Sequence, residues 1–83
     1  MKKLTAEQIR AGRALLRMTA AELAKLAQVG VATVRRSEAE DGEISATPAN
    51  SAAIRSALEG AGVVFLPENG NGPGVALRKE SAS

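Results

Sequence analysis

The chain has 83 residues, a net charge of +2 and no Cys, His, Tyr or Trp. One modest core is all that such a length can bury. Without Cys, disulfides, thiolate metal sites and cysteine nucleophiles are excluded; without His, the commonest general base and the commonest metal ligand are missing. No enzymatic activity, metal or cofactor is therefore expected. No apolar run approaches the ~18 residues of a membrane span. Met1-Lys2-Lys3-Leu4 is followed by Thr5-Ala6-Glu7-Gln8, not by an apolar signal core, so a soluble, cytoplasmic protein is expected. The charge is unevenly distributed. Residues 1–36 hold eight basic and two acidic side chains, residues 37–83 three and seven. An anionic partner would sit on the first half.

In chain order, Thr5-Ala-Glu-Gln8 has the form of a capping box. Ile9, Gly12, Leu15 and Leu16 then recur at helical spacing, which predicts a first helix from Ala6 to Arg17. Thr19-Ala-Ala-Glu22 is a second capping box, and it opens a short helix from Ala20 to about Gln28. Val29-Gly30 interrupts it. A third helix spans Val31 to Ala39, with Gly30 as a weak N-cap. Only Val34 is a large inward candidate past its first turn, which leaves most of its surface free for a partner.

Glu40-Asp-Gly-Glu-Ile-Ser-Ala46 reads as an acidic loop whose carboxylates are solvated. Thr47 followed by Pro48 starts a fourth helix, whose apolar face is Ala53, Ile54, Ala57, Leu58 and Ala61. Gly62 is its expected C′ residue. Val63–Leu66 and Val75–Arg78 read as strands joined by a turn-rich segment, hence a β-hairpin. Asn69-Gly-Asn-Gly-Pro-Gly74 lacks the Lys-Ser/Thr of a phosphate loop, and its best account is a mobile hairpin tip. Lys79–Ser83 is expected to fray.

Leu23-Ala-Lys-Leu-Ala-Gln-Val-Gly-Val-Ala-Thr-Val-Arg-Arg-Ser-Glu38 resembles the core of the lambda-repressor-like (Xre) helix-turn-helix family. Leu23, Ala24, Val29, Thr33, Val34 and Glu38 fit the family pattern, as does Arg13 in the first helix. The resemblance covers roughly residues 5–60. Gln28 stands where the family usually has Gly, Gly30 where it prefers Ser or Thr, and Ser37 where it has an aliphatic residue; a strand pair replaces the fifth helix. The fold expected is mainly α, a helix-turn-helix domain of about four helices over 1–62, with a C-terminal β-hairpin and tail over 63–83.

That resemblance implies a transcriptional regulator on double-stranded DNA, with residues 31–39 entering the major groove. Val31, Ala32, Arg36 and Ala20 would then face base edges; Arg36 is the one able to make a bidentate contact to guanine. Thr19, Arg35, Lys25, Arg13 and Thr33 would meet phosphates. It also implies a salt bridge between Arg13 and Glu38. The hairpin has apolar residues on both faces and free edges, so it is the expected homodimer interface, through Val64, Leu66, Val75 and Leu77; the competing account is a monomer whose hairpin folds back over its own core. The alternative is an antitoxin or adaptor whose main partner is another protein.

Overall fold

The computed structural model describes residues 4–66, 70 and 72–79. The expected fraying of the tail falls on residues 80–83, and much of the expected hairpin tip on 67–69 and 71; these lie outside the described residues. Four helices and a two-stranded antiparallel hairpin follow one another: α1 (Ala6–Leu16), α2 (Ala20–Ala27), α3 (Val31–Ala39), α4 (Pro48–Gly60), β1 (Val63–Leu66) and β2 (Gly74–Leu77).

Local chemistry explains where the helices begin. The Thr5 hydroxyl accepts from the Gln8 amide while the Gln8 side chain accepts from the Thr5 amide, and Thr19 and Glu22 repeat the arrangement at α2. Each box satisfies two amide donors that a helix start leaves without partners. Thr47 caps α4 through the Asn50 amide, with Pro48 just inside. Gly30 precedes α3 and supplies no side-chain cap.

The ends of α1 and α2 were less legible. Both helices stop one residue earlier than the periodicity predicts, because Arg17 (φ 54°) and Gln28 (φ 59°) take the left-handed conformation and form the C-caps. That conformation closes the last turn but crowds any Cβ, so Gly usually fills it. Gly62, at φ 114°, is such a glycine after α4.

Leu4, Ile9, Leu23, Val34, Ile54, Leu58 and Val63 form the buried centre of the core. Gly12 faces α4 and the hairpin across this core: a Cβ there would lie 3.4 Å from Leu58 Cδ2 and 3.6 Å from Val63 Cγ2, ordinary contact distances. The hairpin closes over this seam, with β2 along α1 and β1 against both α1 and α4. Gln8 Nε2 donates to the Gly74 carbonyl, and the Arg78 amide to the Gly62 carbonyl. Val63 is therefore as much a core residue as anything in the helices.

The segment between α3 and α4 is more ordered than its composition suggested. Its Gly42 carbonyl accepts from the Ala6 amide, and its Ile44 amide donates to the Leu4 carbonyl, so it pairs with the stretch before α1. Glu40 is not merely solvated, because the Ser45 amide and hydroxyl both donate to its carboxylate.

The register corrects the expected dimer surface. Val63 pairs with Leu77, Val64 with Ala76, Phe65 with Val75 and Leu66 with Gly74. Directly opposed residues share a face. Val64 and Leu66 thus lie on the outer face, while Val75 and Leu77 lie with Val63 and Phe65 on the face toward the helices. Val75 is partly buried against the core. The four residues do not form one surface; alternation along each strand was legible, but the register that decides which faces coincide was not.

Candidate nucleic-acid interface

α2 and α3 pack on each other and are joined by Gln28, Val29 and Gly30. α3 buries little: Val34 and Ser37 are its only fully buried residues. Ser37, where an aliphatic residue was anticipated from the resemblance, is 4% exposed and donates from its hydroxyl to the Thr33 carbonyl. A small polar side chain satisfied within its own helix can replace an aliphatic one without leaving a buried donor unpaired.

The rest of α3 faces outward. Ala32, Arg35 and Arg36 are exposed, and Thr33 is partly buried. Val31 and Ala20 are also partly buried and pack against the core, which leaves them less surface to offer than Ala32. Thr19 and Lys25 are exposed on α2, but Thr19 uses its hydroxyl oxygen to cap the helix, and Lys25 sits in the last turn, away from that start. Of the residues expected at base edges, Ala32 and Arg36 are the accessible ones.

One end of α3 is held by α1. Arg13 Nε and Nη2 donate to the two carboxylate oxygens of Glu38 at 2.5 and 2.8 Å, and Nη1 donates to the Met18 carbonyl at 2.8 Å. The Glu38 side chain is 11% exposed and that of Arg13 25%. The hydrogen bond to Glu38 raises the Arg13 pKa further above its ordinary value, against the opposing effect of burial. A bidentate pair of this kind fixes direction as well as distance. It also commits most of the Arg13 guanidinium, so its expected phosphate contact is not the use this geometry gives it.

Two further ties hold the same region, and neither carries a signal in the sequence. Arg10 Nη1 donates to the carbonyls of Glu38 and Glu40 at the C-terminal end of α3. The Glu7 carboxylate accepts from the Gly42 amide at 3.1 Å. Hydrogen bonds from its own amide and from Gly42 lower the Glu7 pKa, and nearby Arg10 adds to this. Glu40 is lowered likewise, by the hydroxyl and then the amide of Ser45, with Arg36 contributing. The ties of Arg10 and Glu7 join residues 28 to 35 positions apart, so they become visible only once packing has brought the backbones together.

A polar crevice of about 160 Å³ lies between α3 and the start of α4, lined in part by Thr33, Arg36, Ser37, Thr47 and Asn50. Among the described residues, no cluster of three acidic side chains could hold a metal ion, and no buried side-chain nitrogen or oxygen lacks a hydrogen-bond partner. No helix among them is long and apolar enough to cross a membrane. No protein-family model matches the chain, and a search of curated proteins returns no match.

Proposed function

We propose that the protein is a sequence-specific regulator that binds double-stranded DNA through a helix-turn-helix formed by α2 and α3. The observation that carries the reading is the combination on α3. Two exposed arginines, Arg35 and Arg36, stand on a helix that gives only two residues wholly to the core. A bidentate pair with α1 fixes its far end. An outward, cationic, rigidly oriented helix is what insertion into a major groove requires. Arg36 reads a guanine through two parallel hydrogen bonds, Ala32 touches a thymine methyl, and Arg35 neutralises a phosphate. Arg13 acts by holding the angle of α3. The amides at the start of α2 supply a further phosphate contact beside Thr19.

On this reading the protein works as a homodimer on a palindromic operator, two recognition helices entering successive grooves about 34 Å apart. Val64 and Leu66, 39% and 43% exposed on the outer face of the hairpin, supply the apolar contact. Leu77, though 48% exposed, lies on the opposite face beside Val63 and is not part of that surface.

Selection of bound duplexes from a random DNA pool tests the reading. It predicts an enriched palindrome whose half-site carries an invariant guanine, and an affinity that falls steeply with salt as counterions are released. No enrichment, or an affinity indifferent to salt, would favour the antitoxin or adaptor reading.

A further inference from the structure

Beyond DNA binding, we infer that an open groove between the end of α1 and the outer side of α2 docks a short acidic, apolar segment of a partner protein. The groove encloses about 700 Å³. Its apolar part is Leu16, Met18 and Leu26, and its rim carries the cations of Arg17 and Lys25. Leu26 is 57% exposed, the most exposed large apolar residue among those described. Isolated exposed leucines need no explanation, but one set in a concave surface beside two other apolar side chains marks a contact site.

The charges specify the occupant. Neither Arg17 nor Lys25 has a carboxylate within salt-bridge distance among the described residues. The groove's one acidic side chain, Glu22, turns a carboxylate oxygen to the Thr19 amide at the start of α2. Two cations beside an apolar floor suit a segment with leucine-like side chains flanked by carboxylates. α2 has only eight residues, about 12 Å of helix, so the complementary segment is a turn or two of chain and not a folded domain.

A separate observation points to the same place. Arg17 and Gln28 are the only non-glycine residues at positive φ among those described, and both line this groove. At each position glycine would cap the helix with less strain. Cations near helix ends also complement the helix dipole, which accounts for Arg13 and Lys25 within the last turns. It does not account for a side chain kept on a backbone position that disfavours it. Strain retained twice beside one groove is explained if the side chains at 17 and 28 contact something there.

The test uses the full chain, immobilised, and a displayed library of random dodecapeptides. The expected result is enrichment of peptides that combine carboxylates with large apolar residues. Their binding should weaken at least tenfold with Leu26→Ser and about tenfold with Lys25→Glu. Arg17→Gly separates recognition from structure: it should raise the melting temperature by about 3–6 °C while lowering peptide affinity. Thermal melts of Leu26→Ser and Lys25→Glu close to that of the parent protein establish that those losses are local. Failure to enrich any peptide dependent on Leu26 would overturn the inference, as would peptides indifferent to the charge reversal. It would also be overturned if Lys25→Glu weakened duplex DNA binding as much as peptide binding, since the groove would then belong to the DNA-contacting surface. A failure of DNA binding itself leaves the peptide result unaffected.

Discussion

The two flanks of α1 are built from different materials. Toward α4 and the hairpin, Ile9 and Gly12 lie with Leu58 and Val63 in a buried apolar seam. Toward α3 and the loop after it, Glu7, Arg10 and Arg13 make hydrogen bonds and ion pairs to Gly42, Glu38 and Glu40. The apolar flank supplies stability, because burial of apolar area is the dominant favourable term and has no preferred direction. The polar flank supplies orientation. A bidentate pair tolerates little rotation, and its net contribution to stability is small once desolvation is counted. A helix that must meet a partner at a set angle is held by the second kind of contact.

That contrast is most severely tested by emptying the apolar side. Leu58→Ala should cost about 2–5 kcal/mol, since a wholly buried leucine leaves a cavity and Gly12 beside it has no side chain to fill it. In a chain of this size such a loss approaches the whole stability, so the variant should be largely unfolded in mild urea. A loss below 1 kcal/mol would mean that the seam is not the main source of stability.

On the polar side, Arg13→Ala and Glu38→Ala should each destabilise by about 1–3 kcal/mol, because each leaves a mostly buried charge without its ion-pair partner. The double substitution should cost less than the sum, with a coupling of about 0.5–2 kcal/mol in a denaturant-based cycle. Additive losses would show two independent side chains. The contrast also predicts that the double variant loses more in operator affinity than in melting temperature, since it frees the angle of α3.

How much of this was legible divides along the same line. The capping boxes at Thr5 and Thr19, the Pro48 start and the apolar stripe of α4 could be taken from the sequence because each is decided within four or five residues. Leu4 and Ile44 could not. They join the core only because the loop after α3 pairs with the residues before α1, and neither segment has a periodic pattern. β2 begins at Gly74, one residue before its β-branched run, because Leu66 requires a partner across the hairpin. Gln28 lay between the two cases. Its place in a family position that favours glycine was visible, and the left-handed backbone is the physical content of that mismatch. The Arg13–Glu38 pair followed from the resemblance; Arg10 and Glu7 had no counterpart in the residues quoted for it.

The hairpin offers a sharper version of the comparison, since it is apolar on both faces. Its inner face carries Val63, which is core, so removal of the whole hairpin would confound folding with assembly. Leu66→Glu changes only the outer face. It should convert a dimer to a monomer in sedimentation while lowering the melting temperature little at concentrations where the parent is already monomeric. A parent protein that sediments as a monomer at high concentration would remove the hairpin from the interface.

The smallest expected effect is that of pH. Glu7 and Glu40 have folded-state pKa values below the ordinary carboxylate value. The stabilisation they give is therefore present above that value, near pH 4.5, and is lost as pH falls through their lower folded values. Glu7 is exposed and Glu40 partly so, and the change should be slight. Glu7→Gln should flatten the acid limb of a melting-temperature profile, and a profile unchanged by Glu7→Gln would dissociate the Gly42 contact from stability.

The central claim, that the exposed face of α3 reads DNA, is tested most directly by titrating Arg36→Ala and Arg35→Ala against an operator obtained by selection and against a scrambled duplex. Arg36→Ala should lose about 1–3 kcal/mol on the operator and little on the scrambled sequence, so that specificity collapses. Arg35→Ala should weaken both about equally and reduce the salt dependence by about one counterion. If Arg36→Ala left both operator affinity and sequence preference unchanged, α3 would not be the recognition helix.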